Sequence, residues 1–161
     1  MTEIQEKANT IPQELSIAEI RKYTKEAAPL IHCITNPISI HDCANIILAA
    51  GARPIMAEHP AEVAEITAVA SALMLNLGNI TDARIESIQR ALKEANRRKI
   101  PVLLDLVGVT CSSLRREFAR KLLADGRFAV IKGNISEILA AADLPFHGTG
   151  IDAGSQDAIS Q

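Results

Sequence analysis

The stretch ALMLNLGNITDARIESIQRALKEANRRKIPVLLD, residues 72–105, places two apolar segments of strand length on either side of a long amphipathic segment. The first strand, Ala72–Asn76, ends in a loop, after which Thr81 caps a predicted helix to about Arg98. One face of that helix is apolar and consists of Ile85, Ile88, Ala91, Leu92 and Ala95. The second strand is Pro101–Asp105. A strand, a helix and a strand in this order predict a parallel pair of strands.

The same alternation continues on both sides of this unit. Further strands are predicted at Leu30–Ile34, Arg53–Met56 and Ala129–Lys132, and helices at 16–27, 41–50, from Pro60 onward, from Ser112 or Ser113 to about Leu123, and at 134–142. The predicted fold class is therefore α/β, a parallel sheet with helices on both faces. We expect one such domain over residues 14–142, a disordered N-terminus at 1–13, and a loop or tail at 143–161.

The composition argues against a nucleic-acid-binding, a secreted or a membrane-spanning protein. A net charge of -2 over 161 residues argues against a nucleic-acid partner, and an aromatic content of 2% argues against base-stacking surfaces. Three cysteines at unrelated spacings are typical of a protein from a reducing compartment. The N-terminus lacks the apolar segment of a signal peptide, and no apolar run reaches the ~18 residues that span a bilayer. We therefore expect a cytoplasmic protein without a membrane partner.

The ends of the predicted strands carry the residues best suited to a ligand site. In parallel α/β folds, ligands bind beyond the carboxyl ends of the strands. The residues at these ends are Asn36, Met56, Asn76, Asp105 and the pair Gly133–Asn134. Their polar character favours a binding site at this edge of the sheet, but the fold class alone indicates no particular activity.

Two carboxylates near these strand ends suggest a metal site. Asp105 suits a divalent cation, and it equally suits a helix cap or a structural hydrogen bond, so both interpretations stay open. Glu137 lies three residues after Asn134, which is the spacing of a capping pair, and it is also well placed for Mg²⁺ beside a triphosphate. Taken together, the two carboxylates favour the metal interpretation.

Other motifs favour no chemistry. His32, Cys33, His41 and Cys43 lack zinc-ligand spacing, because adjacent strand residues point to opposite faces, and no Cys/His nucleophile pair is favoured. Residues 148–150, Gly-Thr-Gly, resemble an anion-binding turn, but no helix start follows them, so we interpret them as a loop. Neither a Walker A motif nor a G-x-G-x-x-G after the first strand is present.

Seven stretches in the same order resemble the hydroxyethylthiazole kinase family of thiamine salvage, within the ribokinase-like superfamily. They are HCITN at 32–36, CAN at 43–45, GARPIMA at 51–57, LNLGNI at 75–80, LDLVG at 104–108, IKGNISEI at 131–138 and GIDAG at 150–154. Two positions depart from the family pattern: Leu106, where Pro is frequent, and Thr110–Cys111, where the loop is often Gly-rich.

The resemblance implies a three-layer ribokinase-like fold and phosphorylation of the hydroxyl of 4-methyl-5-(2-hydroxyethyl)thiazole. The phosphoryl donor would be ATP with Mg²⁺, and the assembly a homotrimer with active sites between subunits. By the same resemblance, Met56 and Asn36 bind the thiazole, Lys132 and Asn134 bind ATP, and Asp105 and Glu137 bind the metal.

The family pattern also includes parts that have no counterpart before Gln161. These are its G-T-G-C anion hole and its catalytic cysteine, so we expect the C-terminal part of the fold to be missing from this sequence. Phosphoryl transfer depends on neutralising charge around the transferred group, so we expect phosphorylation by this polypeptide alone to stay at background. The alternative function is a catalytically inactive α/β module that only associates with partner subunits.

Overall fold

The computed structural model of the protein describes residues 16–147, in which helices and strands alternate as the sequence predicts. The elements are α1 Ile17–Ala27, β1 Leu30–Ile34, α2 Ile40–Ala50, β2 Arg53–Ile55, α3 Val63–Val69, β3 Ala72–Asn76, α4 Asp82–Arg98, β4 Val102–Asp105, a 3-10 helix Val109–Cys111, α5 Ser113–Asp125, β5 Val130–Lys132 and α6 Ile135–Ala141. The predicted disorder at 1–13 lies outside the described residues, as does the part of the predicted loop or tail at 143–161 that follows residue 147.

The helix termini follow the capping signals of the sequence. Ser16 and Glu19 form a capping box at the start of α1, and Asn134 and Glu137 form a second one at the start of α6. The helix predicted to start at Pro60 begins three residues later. The backbone N–H groups of residues 62 and 63 donate to the His59 carbonyl, so Pro60 lies in a turn before α3.

All five strands run parallel, in the spatial order β2-β1-β3-β4-β5. The chain leaves β1 toward β2 on one side and then crosses to β3 on the other, so the order reverses between β1 and β3. Open α/β sheets bind ligands at such a reversal, beyond the carboxyl ends of the strands. The strands that flank this point are β1 and β3. Asn36 lies two residues after β1, and Asn76 is the last residue of β3.

One face of the sheet packs into the hydrophobic core. Residues in register share a face, and the alternate positions Leu73 and Leu75 of β3 and Leu104 of β4 are fully buried there. Helix α4 covers these residues through Ile88, Ala91, Leu92 and Ala95, which are buried as its periodicity predicts.

The opposite face is only partly covered by the described part of the chain. Ile31, Met74, Leu103 and Val130 line an apolar groove of about 260 Å³ on this face, and Ile47 of α2 borders it. Val130 is 50% exposed at the sheet edge. Within residues 16–147, no helix is both long and apolar enough to cross a membrane.

Candidate functional site

Four polar side chains meet at the carboxyl edge of the sheet and form a continuous hydrogen-bonded row. The Asn36 side-chain amide donates to Asn76 Oδ1 at 3.3 Å, and Asn76 donates in turn to Asp105 Oδ2 at 3.1 Å. Lys132 Nζ lies 3.2 Å from Asp105 Oδ1. The register produces this row, because it places Asn76 beside Asp105 and Asp105 beside Lys132. We call these four residues the strand-end row.

Backbone amides hold the two asparagines of the row in one orientation. Asn36 Oδ1 accepts from the backbone N–H groups of Ile38 and Ser39, at 3.0 and 3.1 Å. Asn76 Oδ1 accepts from the Gly78 N–H at 2.8 Å. A Cβ on Gly78 would lie 2.8 Å from Asn76 Oδ1, so the close approach of this loop requires glycine. Both amide NH₂ groups therefore point along the row toward the carboxylate.

The two predicted metal-site carboxylates accept hydrogen bonds from two consecutive backbone N–H groups in the turn after β4. The Val107 N–H donates to Asp105 Oδ1 at 3.2 Å, and the Gly108 N–H donates to Glu137 Oε1 at 2.9 Å. Gly108 adopts a φ of 77°, which favours glycine. The turn after β4 thus brings a carboxylate from β4 and a carboxylate from α6 to the same place.

Glu137 is a capping residue and a loop anchor at once. It is only 3% exposed, and its second oxygen accepts from the Asn134 N–H at 2.8 Å. The Asn134 side chain in turn accepts from the Glu137 N–H at 2.9 Å. The capping interpretation of the sequence is therefore correct, and the capping pair also holds the turn at Gly108.

The donor set at Asp105 fits a hydrated magnesium ion, which takes one or two carboxylates and otherwise water or phosphate oxygens. Asp105 already carries a cation, the Lys132 ammonium, whose side chain is 61% exposed while that of Asp105 is 13% exposed. The exposed lysine can leave the carboxylate without disturbing the core. Glu137 fits less well as a direct ligand, because both its oxygens already accept backbone N–H groups, those of Gly108 and Asn134.

Met56 lies at the same edge of the sheet as the strand-end row, at the end of the strand beside β1. It follows β2, which pairs with β1, and its side chain is half-buried. The residues after it are anchored, because Ala57 O lies 2.8 Å from His32 Nε2. A carbonyl only accepts, so Nε2 carries the proton and Nδ1 accepts from Thr67 Oγ1 at 2.8 Å.

The buried groups beside this site are poor metal ligands and poor nucleophiles. His32 is completely buried, and desolvation lowers the pKa of its imidazole from the ordinary value of 6.5. Burial, with the nearby Cys43, raises the pKa of the Cys33 thiol to about 12. His32 uses both ring nitrogens in hydrogen bonds. Across residues 16–147, no three His, Cys, Asp or Glu side chains are grouped so that they could hold a metal ion.

Two arginines at this edge were missed by sequence reasoning. Arg84 donates to the Asn79 carbonyl at 3.2 Å and to the Thr35 carbonyl, and Arg115 donates to the Gly78 carbonyl at 3.1 Å and to the Leu77 carbonyl. Each lies three residues after the N-cap of its helix, where a capping box has Glu or Gln. A positive charge in the first turn of a helix interacts unfavourably with the helix dipole. This unusual placement is the sequence feature that could have pointed to the two arginines.

The fold and the strand-end row together define a parallel α/β protein with a polar candidate site at the carboxyl edge of its sheet. Comparison with known proteins makes the assignment specific, since the hydroxyethylthiazole kinase family matches residues 21–160. The chain belongs to this family, and the resemblance seen in the sequence is confirmed.

Individual relatives agree with this assignment. "Hydroxyethylthiazole kinase 2" of Clostridium botulinum (strain 657 / Type Ba4) is 54% identical over 89% of this chain and 54% of its own length. "Hydroxyethylthiazole kinase" of Alkaliphilus metalliredigens is 43% identical over 89% of this chain and 52% of its own. The solved hydroxyethylthiazole kinase protein of Pyrococcus horikoshii OT3 superposes with a TM-score of 0.74 at 34% identity, over 78% of this chain and 49% of that one.

The predicted ribokinase-like α/β fold is confirmed by the parallel sheet and by this solved relative. The chain spans about half the length of the curated relatives that it matches.

Proposed function

We propose that this chain forms the thiazole-binding and metal-binding part of a hydroxyethylthiazole kinase, which transfers a phosphoryl group from ATP to the hydroxyl of 4-methyl-5-(2-hydroxyethyl)thiazole. The observation that carries the proposal is the strand-end row. It runs without a break from Asn36, beside the predicted thiazole position, to Lys132, at the predicted phosphate position. Membership of a kinase family implies ATP as the co-substrate.

The phosphate side of the proposed site comprises Asp105, Lys132, Asn134 and Glu137. Asp105 would hold Mg²⁺, which when bound neutralises charge on the phosphate oxygens. Lys132 would exchange its contact with Asp105 for the phosphates of ATP, a change its exposed side chain permits. Glu137 contributes a second negative charge and holds the Gly108 turn in place. Asn134 shapes this end of the site by fixing the start of α6 beside Lys132.

The thiazole side comprises Met56 and Asn36. The Met56 thioether is polarizable and half-buried, which suits contact with an aromatic sulfur heterocycle. Asn36 donates along the row to Asn76, so its amide orientation is set before a ligand arrives. Preorganised donors of this kind cost little to order on binding.

The proposal extends to location and assembly. A cytoplasmic enzyme is supported by the state of Cys33, Cys43 and Cys111, all three of which are thiols. The homotrimer implied by the family resemblance is part of the same proposal, and light scattering on the purified protein measures it directly. The alternative, a module that only associates with other subunits, is favoured by the half-covered apolar face at Met74, Leu103 and Val130.

Calorimetric titration with MgATP tests the site, with Asp105→Asn as the variant and Asp125→Asn as the matched control. Asp125 is an exposed aspartate at the end of α5. We expect Asp105→Asn to weaken MgATP binding by about tenfold or more, because a charge-assisted contact is lost, and Asp125→Asn to bind as the parent does. Equal MgATP affinity of the parent and both variants would show that Asp105 does not bind the metal.

A second assay separates the two candidate functions. The purified chain is incubated with the thiazole alcohol, ATP and Mg²⁺, and the phosphorylated product is measured by mass spectrometry. Because this polypeptide alone is expected to stay at background, the product is compared with ligand binding: affinity for the thiazole alcohol and Asp105-dependent affinity for MgATP support the kinase part, with or without product. Stable association with other subunits without binding of either ligand supports the alternative.

A further inference from the structure

A single buried arginine ties together the three loops that follow β1, β2 and β3. Arg84 is 5% exposed, although it lies in the first turn of α4. Its guanidinium donates to the Thr35 carbonyl after β1, to Glu58 Oε2 after β2 at 3.1 Å through Nε, and to the Asn79 carbonyl after β3 at 3.2 Å. The planar fork of arginine serves three acceptors in one geometry, which a lysine ammonium does not reproduce.

The loop after β2 is held by further buried side chains. The Ser87 hydroxyl, one helical turn beyond Arg84, lies 2.7 Å from the Glu58 carbonyl oxygen and 2.8 Å from the Ala83 carbonyl oxygen of its own helix, and its one proton serves these two acceptors. His32 Nε2 donates to the preceding carbonyl, that of Ala57, at 2.8 Å. His32 and Ser87 are both completely buried. Two successive residues directly after Met56 are thus fixed through their backbone carbonyls, and the second is fixed through its side chain as well.

We propose that Arg84 is a positioning residue that sets the location of Met56 relative to Asn36. Asn36 directly follows Thr35, and Met56 lies two residues before Glu58, so one guanidinium bridges the two loops of the proposed thiazole site. The inference rests on the proposed function for its ligand. The positioning itself does not depend on that ligand and is measured separately.

The test uses Arg84→Met with Arg90→Met as the matched control. Arg90 lies on the same helix, but it is exposed and its ion pair is with Glu86 of that helix. The parent has three methionines, so selective ¹³C-methyl labelling of methionine gives three signals, and each variant adds one signal from the introduced methionine. Met74, which lines the apolar groove in the middle of β3, is an internal reference. The spectra are recorded without ligand and then during titration with the thiazole alcohol.

We expect Arg84→Met to shift or broaden the Met56 methyl signal, to leave the Met74 signal in place, and to weaken binding of the thiazole alcohol by about tenfold. Arg84→Lys should restore part of the affinity, because it keeps the ion pair with Glu58 and loses the fork. Arg90→Met should match the parent in both measurements. A folded Arg84→Met protein with the parent's Met56 signal and affinity would overturn the proposal.

Two further outcomes, a variant that does not fold and a parent chain that does not bind the ligand, each have their own test. If Arg84→Met does not fold, Glu58→Ala removes the acceptor through which Arg84 holds the loop after β2, and an unchanged Met56 signal and affinity in that variant would overturn the proposal. If the parent chain does not bind the thiazole alcohol, the proposed function fails, while the ligand-free response of Met56 to Arg84→Met still decides whether Arg84 positions it.

Discussion

Replacement of Glu137 by glutamine measures how strongly the start of α6 is tied to the turn after β4. The Glu137 carboxylate accepts two backbone N–H groups, those of Gly108 at 2.9 Å and Asn134 at 2.8 Å, and it is 3% exposed. Glutamine has the same shape but only one oxygen. One of the two N–H groups therefore keeps its acceptor, and the other faces an amide NH₂.

The structure sets the size of the expected effect. A hydrogen bond to a charged group contributes about 1.5–3 kcal/mol, and the Glu137 side chain and the Gly108 N–H are both buried, so water does not replace the bond between them when it is lost. We expect the free energy of unfolding to fall by about 2 kcal/mol. With a urea dependence of about 1–3 kcal/mol per M, the unfolding midpoint should fall by about 1 M.

Glu19→Gln is the matched control, because the chain repeats the same motif in an exposed setting. Glu19 accepts from the Ser16 N–H at 2.9 Å in the capping box of α1, and it is exposed. Water replaces the lost acceptor there, so the midpoint should stay close to that of the parent. Equal midpoint shifts for Glu137→Gln and Glu19→Gln would refute the reasoning. A Mg²⁺ titration of the Glu137 variant, read through MgATP binding, reports separately on its proposed part in the metal site.

Two other substitutions test the surroundings of the site. His32 has its pKa lowered by burial from 6.5, so the unfolded chain binds a proton that the folded chain resists, and stability is lost as pH falls below 6.5. The urea midpoint of His32→Gln should change less than that of the parent between about pH 7.5 and about pH 5.5, while exposed His41→Gln should keep the parent's pH dependence. Met56→Ala should weaken thiazole binding by up to about tenfold and leave MgATP binding unchanged, since a thioether contact with a ring contributes about 0.3–1.5 kcal/mol. Met74→Ala, in the apolar groove away from the strand ends, should leave both affinities unchanged, and equal loss of both ligands in Met56→Ala would contradict a specific thiazole contact.

The sequence by itself determined the order and type of the elements. Alternation of short apolar segments with amphipathic ones is a local signal, as is a capping box such as Ser16 with Glu19, because each depends on residues within one or two helical turns. The same local signals placed Asn76 and Asp105 at strand ends and Glu137 in the first turn of the last helix, and the family motifs around them assigned the chain to its family.

Tertiary structure alone decided which of these residues meet. Asn36, Asn76, Asp105 and Lys132 form one row because the strands are ordered β2-β1-β3-β4-β5 and paired in one register. Sequence separations of 27 to 40 residues between successive members carry no local signal of that pairing. The burial of Arg84 could not be predicted from the sequence for the same reason. Its position in α4 is visible in the sequence, but two of its three acceptors, the Thr35 carbonyl and Glu58 Oε2, come from loops that only the packing of α4 against the sheet brings within reach.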